Sequence, residues 1–324
     1  MLRTGKINGH LALWLENEAL SVAVLPRKGA DIYAFIHRPS GVDCLMKTPG
    51  GLKPPGDEPR DFLENYEGGW QELFPNPGDA VVLGGADLPF HGEVALLPWD
   101  YSVERDDADE IAVRFQVNCR RVPVRLERLM RLRQNQPILE IEGRVVNLSP
   151  APQAFLWGHH VVLGRGFLEA GCRMEAPVTT IVTPEELAEP ATAALAPGQT
   201  EPWPMALGRQ PGERIDLREI PGPEAHWHDD IYLTGLTSGK VDIVNPRLRL
   251  RFRLDWDPAV FGCLVNWRPL GGADLPPLTG IYGLGIEPWV SRLNLTAAIA
   301  QREALQVAPF GVFSTKLSAA IEAG

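Results

Sequence analysis

Hydrophobic and polar residues alternate along much of this chain. The clearest case is "RLRLRFRLDW" at 247–256, where one face carries four arginines and Asp255, and the other carries Leu248, Leu250, Phe252, Leu254 and Trp256. Alternation with a period of two is typical of a β-strand that is buried on one face only. This stretch therefore predicts a strand at the surface of a hydrophobic core.

Several other stretches predict strands of similar length. Residues 124–133 and 138–148 flank the polar turn sequence "QNQP", which predicts an antiparallel pair. Shorter segments that are rich in β-branched and aromatic residues add further strands: "ALSVAVLP" at 19–26, "DIYAFIH" at 31–37, "DEIAVRFQVN" at 109–118 and "IYLTGL" at 231–236. The chain is thus predicted to consist largely of short strands.

One stretch has the features of a helix start. In "TPEELAEPATAALA" at 183–196, Thr183 can cap the helix, Pro184 takes the first position, and Glu186 lies three residues after the cap. Stretches rich in Pro and Gly at 48–60, 196–213 and 268–280 predict long loops, and the composition does not change across them. We therefore expect one all-β domain over residues 1–324, a large antiparallel β-sandwich with few short helices.

Composition and charge narrow the class of protein. The chain has 324 residues, 44% of them hydrophobic and 22% charged, which is typical of a soluble globular protein. Its net charge of −10 argues against nucleic acid or a membrane as a partner. No apolar run is long enough for a transmembrane helix or for a signal peptide core. The four cysteines are too scattered for a zinc site or a disulfide framework. We expect a cytoplasmic monomer or homodimer.

The segment 68–93 concentrates side chains that a plain core strand does not need. It contains "GGWQELFPNPGD" and "LPFHGE", and the segment as a whole supplies aromatic rings, the carboxylates of Glu72, Asp79 and Asp87, and the imidazole of His91. No Lys or Arg occurs between residues 61 and 104. This mixture indicates the wall of a concave polar site.

Three more segments carry candidate chemistry. His159 and His160 are adjacent in "FLWGHHVVLG", so on a strand they face opposite sides. Glu287 is the one carboxylate of the apolar segment "GIYGLGIEPW", where burial is costly unless the group is paired, protonated or bound to a ligand. His226 and His228 in "HWHDD" have a spacing that suits metal ligands, although surface loop residues can have the same spacing.

In this order, "FHGE", "WGHHVVLG" and "GLGIEPW" resemble the motifs of the aldose 1-epimerase (galactose mutarotase-like) family. "RLRQNQPILEIEGRVVNLSPAP" and "DDIYLTGLTSGKVDIVNP" are similar to further strands of that family, so the resemblance covers most of the chain. It implies the galactose mutarotase-like supersandwich fold. It also implies an enzyme that interconverts the α and β anomers of a small-molecule sugar by opening and closing the ring, without a cofactor or a metal.

The resemblance assigns roles to individual residues. Glu287 matches the general base that takes the proton from the C1 hydroxyl of the sugar. His160 matches the general acid that protonates the ring oxygen, with His159 as the alternative. His91 matches a second histidine, which helps to hold the ring.

Other residues would bind the sugar. Asp229, or alternatively Asp230, matches an aspartate that binds sugar hydroxyls, and three tryptophans are candidates to stack on the sugar ring: Trp70, Trp157 and Trp289. The family usually has an Arg shortly before the His-Gly motif, and this chain has none there. Gln71 or Glu72 would have to supply that contact.

Two other functions remain open at this point. A carbohydrate-binding protein of the same fold would keep the tryptophans without catalysing a reaction. A metal-dependent sugar isomerase or lyase would instead use His226 and His228 together with an acid from elsewhere in the chain.

Overall fold

The computed structural model describes residues 1–56 and 61–324, so residues 57–60 of the loop predicted at 48–60 lie outside the described residues. The strands, in chain order, are β1 (Leu2–Ile7), β2 (His10–Glu16), β3 (Leu20–Leu25), β4 (Asp31–His37), β5 (Val42–Asp43), β6 (Trp70–Leu73), β7 (Val81–Leu83), β8 (Ala86–Leu88), β9 (Asp100–Asp106), β10 (Glu110–Asn118), β11 (Val124–Arg133), β12 (Ile138–Asn147), β13 (Gln153–Phe155), β14 (Gly158–Gly164), β15 (Arg173–Glu175), β16 (Thr180–Val182), β17 (Thr200–Pro202), β18 (Met205–Leu207), β19 (Arg214–Asp216), β20 (Trp227–Thr234), β21 (Lys240–Asn245), β22 (Leu250–Trp256), β23 (Cys263–Leu270), β24 (Gly283–Gly285), β25 (Glu287–Trp289), β26 (Leu305–Val307) and β27 (Val312–Ala323). The helical segments of the described residues are α1 (Leu295–Gln301) and three short 3₁₀ turns at Leu63–Asn65, Val94–Leu96 and Pro223–Ala225.

Most strands belong to two antiparallel sheets. Within the described part of the chain, the large sheet has thirteen strands in the order β1-β2-β3-β4-β6-β14-β25-β23-β20-β16-β17, with β24 beside β14 and β5 beside β4. The small sheet has eight strands in the order β15-β21-β22-β27-β12-β11-β10-β9. The predicted all-β antiparallel architecture is confirmed.

The small sheet shows the predicted alternation. The stretches at 124–133 and 138–148 form the antiparallel pair β11 and β12, with Met130 opposite Ile141. In β22, Phe252 and the other apolar side chains are buried, while the Arg253 guanidinium forms an ion pair with Asp242 on the outer face. Hydrophobic burial on one face and ion pairing on the other are what the period of two predicts.

The core lies between the two sheets. Phe35 of the large sheet packs edge to face on Phe252 of the small sheet, with ring centroids 5.3 Å apart. Apolar side chains from Leu13 to Ile321 join one contiguous core cluster. Among the described residues, no helix combines the length and the apolar character needed to span a bilayer.

The helix predicted at 183–196 does not form, and that prediction is wrong. The Thr183 hydroxyl donates to the Ala196 carbonyl at 2.8 Å and accepts from the Gln199 amide at 3.1 Å, so it closes a loop instead of capping a helix. Pro190 also lacks the N–H that a continuing helix would need. The loop predicted at 196–213 is partly wrong as well, because it contains β17 and β18.

Candidate active site

A cavity of about 340 Å³ opens on one face of the large sheet, over β14, β20, β23 and β25. Loops around residues 62–66, 77–79, 90–91 and 292–294 complete its walls. A volume in this range suits a small organic ligand. The cavity therefore defines where the candidate chemistry can act.

Strand alternation decides which side chains reach this cavity. On β20, His228, Asp230 and Tyr232 line it, and on the neighbouring β23, Val265 and Trp267 do so. Residues between them in sequence face the opposite side of the sheet, because successive side chains of a strand point to opposite faces.

The cavity brings Glu287 and His160 together. Nε2 of His160 lies 3.6 Å from Oε1 of Glu287, and both side chains are buried. Gly285 leaves space for the carboxyl group, since a Cβ there would lie 2.5 Å from Oε1 of Glu287. Nδ1 of His160 has no hydrogen-bond partner within the described residues.

Burial shifts the pKa values of Glu287 and His160 in opposite directions. Desolvation raises the pKa of Glu287 well above its usual value, and the nearby Asp230 charge raises it further. Desolvation lowers the pKa of His160 to about 3. Burial thus favours the state in which the Glu287 carboxyl holds the proton of the pair and the His160 imidazole is neutral. A proton donor and a proton acceptor lie side by side.

His91 enters the cavity from a left-handed backbone conformation with φ of 64°. Its N–H donates to the Gly78 carbonyl at 2.8 Å, and the Gly78 N–H donates to Nδ1 of His91 at 3.1 Å. The ring stacks on Phe90. Burial, together with the neighbouring His160, lowers the pKa of His91 well below its usual value. Because Nδ1 accepts a hydrogen bond, the neutral ring carries its proton on Nε2, where it can be donated.

The structure corrects the choice between the two aspartates. The Asp229 carboxylate turns away from the cavity and accepts hydrogen bonds from the amides of Ala194 at 3.1 Å and Leu195 at 3.0 Å. Asp230 lines the cavity, and burial raises its pKa. The carboxylate available to a ligand is therefore that of Asp230.

Four further predicted residues lie in the core and not in the cavity. Glu72 and His159 are opposite each other on β6 and β14, on the face that packs against the small sheet. Glu72 forms an ion pair with Arg128 at 3.2 Å and accepts from Nε1 of Trp157 at 2.9 Å. Nε1 of Trp70 donates to Nδ1 of His159 at 3.3 Å. These side chains connect the two sheets and do not line the cavity.

Gln71 lies opposite His160, on the cavity side of the sheet, but it does not line the cavity. Its side-chain amide donates to the Gly68 carbonyl at 2.8 Å and to the Asp31 carboxylate at 3.3 Å. Of the three predicted tryptophans, only Trp289 lines the cavity within the described part of the chain.

The structure does not bring His226 and His228 together at one site. The half-exposed His226 lies 3.4 Å from Asp274, whereas the buried His228 hydrogen-bonds Glu189 and Trp267. Within residues 1–56 and 61–324, no group of three or more His, Cys, Asp or Glu side chains is arranged to hold a metal ion.

Several residues that line the cavity were not identified from the sequence. They are mostly aromatic side chains from loops and strands, together with one arginine at the edge: Phe62, Tyr66, Phe90, Tyr232, Trp267 and Arg292. The alternation in "LVNWRPL" marks Trp267 as a residue on one face of a strand. It does not tell which face is open to a cavity.

Solved structures of low sequence identity have the same fold. A proposed aldose 1-epimerase from Klebsiella pneumoniae is 15% identical, with a TM-score of 0.72, over 96% of this chain and 79% of that one. A proposed mutarotase from Salmonella typhimurium is 12% identical, with a TM-score of 0.69, over 100% and 94%. A galactose mutarotase-like protein from Clostridium acetobutylicum is 14% identical, with a TM-score of 0.65, over 100% and 99%. The chain thus has the galactose mutarotase-like fold.

Sequence comparison places the chain more narrowly. Residues 8–317 match the sequence profile of a family described as a domain of unknown function, DUF4432, and the chain belongs to that family. No curated protein sequence matches it.

Proposed function

We propose that this protein is an isomerase of the aldose 1-epimerase type, which interconverts the α and β anomers of a sugar without a cofactor. The observation that carries the proposal is the buried Glu287 and His160 pair, 3.6 Å apart in a cavity of about 340 Å³. The ring oxygen and the C1 hydroxyl of a sugar are bonded to the same carbon. An acid and a base that serve these two oxygens must therefore lie side by side, as these groups do.

The pair would open the ring by two proton transfers. The Glu287 carboxylate takes the proton of the C1 hydroxyl, the His160 imidazolium gives its proton to the ring oxygen, and the C1–O bond of the ring breaks. Rotation about C1–C2 then exposes the other face of the aldehyde. Closure reverses both transfers, so that the pair carries one proton throughout the cycle.

The proton position in the ligand-free site has a consequence for this cycle. With the pKa of Glu287 raised and that of His160 lowered, burial favours the protonation state that the pair has after ring opening. In the proposed cycle, binding of the ring form moves the proton from Glu287 to His160. Hydrogen bonds from the sugar hydroxyls to the Glu287 carboxylate would favour this ionised state.

Other cavity residues would hold the sugar. His91 can donate from Nε2, and Asp230 can accept from hydroxyl groups. The family's arginine is missing before the His-Gly motif, and Gln71 and Glu72 bind other protein groups. Arg292 is the cation among the described cavity residues. We propose that it binds the sugar hydroxyl in place of the missing arginine, although it lies in the C-terminal part of the chain.

A polarimetric assay of anomerisation on freshly dissolved sugars, including α-D-glucose and α-D-galactose, tests the proposal. We expect Glu287→Gln and His160→Asn each to lower the rate by about 10²–10⁴-fold, because each removes proton transfer and keeps the shape. The double variant should be little worse than the poorer single variant, since the two residues act as one unit.

His159→Asn is the matched control, because His159 is the sequence neighbour of His160 and faces the core. It should retain most of the activity. A folded Glu287→Gln variant with the wild-type rate would refute the catalytic assignment. Sugar binding by the wild-type protein without any acceleration of anomerisation would instead identify a carbohydrate-binding protein.

A further inference from the structure

A chain of hydrogen bonds ends on one wall of the cavity. Nε1 of Trp267 donates to Nε2 of His228 at 2.7 Å, and His228 lies 3.0 Å from Glu189 through its Nδ1. The second oxygen of Glu189 accepts from the Asp274 amide at 2.7 Å. These hydrogen bonds thus connect the loops that contain Glu189 and Asp274 to β20 and β23.

The donors and acceptors of this chain fix the protonation of His228. An indole N–H can only donate, so Nε2 of His228 must be the unprotonated nitrogen. The proton of the neutral ring is then on Nδ1, from which it is donated to Glu189. His228 is buried, and every polar atom of its side chain has a partner.

Trp267 is the member of the chain that contacts the candidate active site. Its indole is half-buried and lines the cavity, and its ring centroid is 5.6 Å from that of His160. The Tyr66 ring also lies near it, with ring centroids 6.3 Å apart, and the indole N–H donates its hydrogen bond to His228. The bond to His228 therefore holds the ring in one orientation. The flat apolar face of an indole beside an acid–base pair suits the C–H face of a sugar ring.

We infer that His228 and Glu189 are positioning residues, which fix the Trp267 indole as the wall that supports the sugar next to Glu287 and His160. This inference rests on the proposed function, because it assigns the ligand of the wall to a sugar. It gives roles to a histidine and a glutamate that need not exchange protons with the substrate.

The first experiment needs no ligand. In full-length protein with ¹⁵N-labelled tryptophan, the indole N–H signal that is lost in Trp267→Phe belongs to Trp267. We expect His228→Phe to speed the solvent exchange of this proton by about ten-fold or more, because a protected hydrogen bond is opened. Glu189→Ala should have the same effect in smaller measure. Exchange at the wild-type rate in His228→Phe would overturn the inference.

The second experiment separates positioning from a purely structural role. We expect His228→Phe and Glu189→Ala to raise KM for the best sugar of the polarimetric panel by roughly ten-fold, with kcat changed much less, since aromatic contacts of this kind contribute to binding. Glu189→Gln keeps an oxygen that can accept from His228, so it should largely restore KM. An unchanged KM in both His228→Phe and Glu189→Ala would refute the inference.

Thr192→Val is the matched control. The Thr192 hydroxyl donates to the Gly272 carbonyl at 2.7 Å and so links the same two loops through a bond that does not involve the side chains of Trp267 or His228. It should lower stability without changing KM or indole exchange. If His228→Phe does not fold, Glu189→Ala and Trp267→Phe provide the same comparison.

The outcomes also separate this inference from the proposed function. If the wild type turns over a sugar and the variants have the same KM, the positioning role of His228 and Glu189 is refuted and the proposed isomerase function is retained. Binding of α-D-glucose or α-D-galactose without turnover, measured by tryptophan fluorescence and weakened in His228→Phe, would support the wall and refute the isomerase. The absence of both binding and turnover would refute both.

Discussion

Asp229 and Asp230 are neighbours in the chain, and the sheet sends their carboxylates to opposite sides. We expect Asp230→Asn to raise KM by roughly ten-fold, with a smaller effect on kcat, because a lost hydroxyl contact removes binding that the ground state and the transition state share. Steady-state kinetics with the best sugar of the panel measure this change.

Asp229→Asn serves as the matched comparison, because it removes a carboxylate that accepts two backbone amides away from the cavity. It should lower the thermal midpoint and leave KM near the wild-type value. A raised KM in Asp229→Asn with a normal KM in Asp230→Asn would reverse the assignment.

The pH dependence of kcat/KM is also determined by the ionisation of single residues. Activity needs the pair with one proton, so it should fall below about pH 3, where His160 takes up a second proton, and above the raised pKa of Glu287, where the proton is lost. The Asp230 charge is one cause of that raised pKa. Asp230→Asn should therefore move the basic limb to lower pH.

Burial is the larger cause of the Glu287 shift, so in Asp230→Asn the basic limb should remain above the usual pKa of 4.5. The quantity to compare is the position of the limb and not the height of the plateau, because Asp230 also affects binding. A basic limb at the same pH in both proteins would show that the Asp230 charge does not reach Glu287.

At the scale of elements, β24 leaves space for the candidate acid–base pair of Glu287 and His160. A Cβ on Gly285 would lie 2.5 Å from Oε1 of Glu287 and 2.9 Å from Cβ of Trp267. We expect Gly285→Ala to lower kcat/KM by about 10²-fold, because small displacements of reacting groups have effects of that size. The polarimetric assay measures the loss.

Gly262→Ala is the control for this prediction. Gly262 lies just before β23, and the nearest atom to an added Cβ is 3.7 Å away, which leaves space for a methyl group. It should keep the wild-type activity. Full activity in Gly285→Ala would mean that the Glu287 carboxyl tolerates displacement.

Short sequence motifs can also predict the wrong secondary-structure element. The stretch 183–196 has a good capping residue, yet Thr183 bonds across a loop to Ala196 and Gln199. The helix that forms, α1, begins after Asn294, whose side chain accepts from the Ala297 amide at 2.9 Å. With seven residues it is too short to give a periodic pattern. A potential capping residue can instead form hydrogen bonds within a loop, and the sequence alone does not show which of the two arrangements forms.

At the scale of the whole molecule, one buried ion pair connects the sheets behind the cavity. Arg128 of β11 pairs with Glu72 of β6 and also donates to the Ala30 carbonyl, and both charged side chains are fully buried. We expect Arg128→Met to lower the free energy of unfolding by about 3–5 kcal/mol, because the Glu72 carboxylate is left buried without a partner. Urea unfolding followed by fluorescence measures this loss.

The variant that combines Arg128→Met with Glu72→Gln should regain much of the loss, since no unpaired charge remains. Arg3→Met removes an exposed partner of Glu16 and should have a much smaller effect. Equal losses in Arg128→Met and Arg3→Met would show that Arg128 does not carry an inter-sheet contact.

The sequence alone determined the class of fold and part of the candidate site. The alternation in 247–256 and the paired stretches around "QNQP" specify half-buried antiparallel strands, because the side-chain period of a strand is two. Glu287 could be singled out because a lone carboxylate in an apolar segment is costly to bury. His160 and His91 followed from the family resemblance of their segments.

Only the tertiary structure decided which face of each strand lies under the cavity. Alternation separates Asp229 from Asp230, and Glu72 from Gln71, but it does not say which face the second sheet covers. On β6 and β14 both faces are buried. The sequence around Trp70 and His159 therefore does not distinguish these core residues from residues that line the cavity. The bond from Trp267 to His228 depends on the register between β20 and β23, and contacts between strands are fixed by packing and not by sequence position.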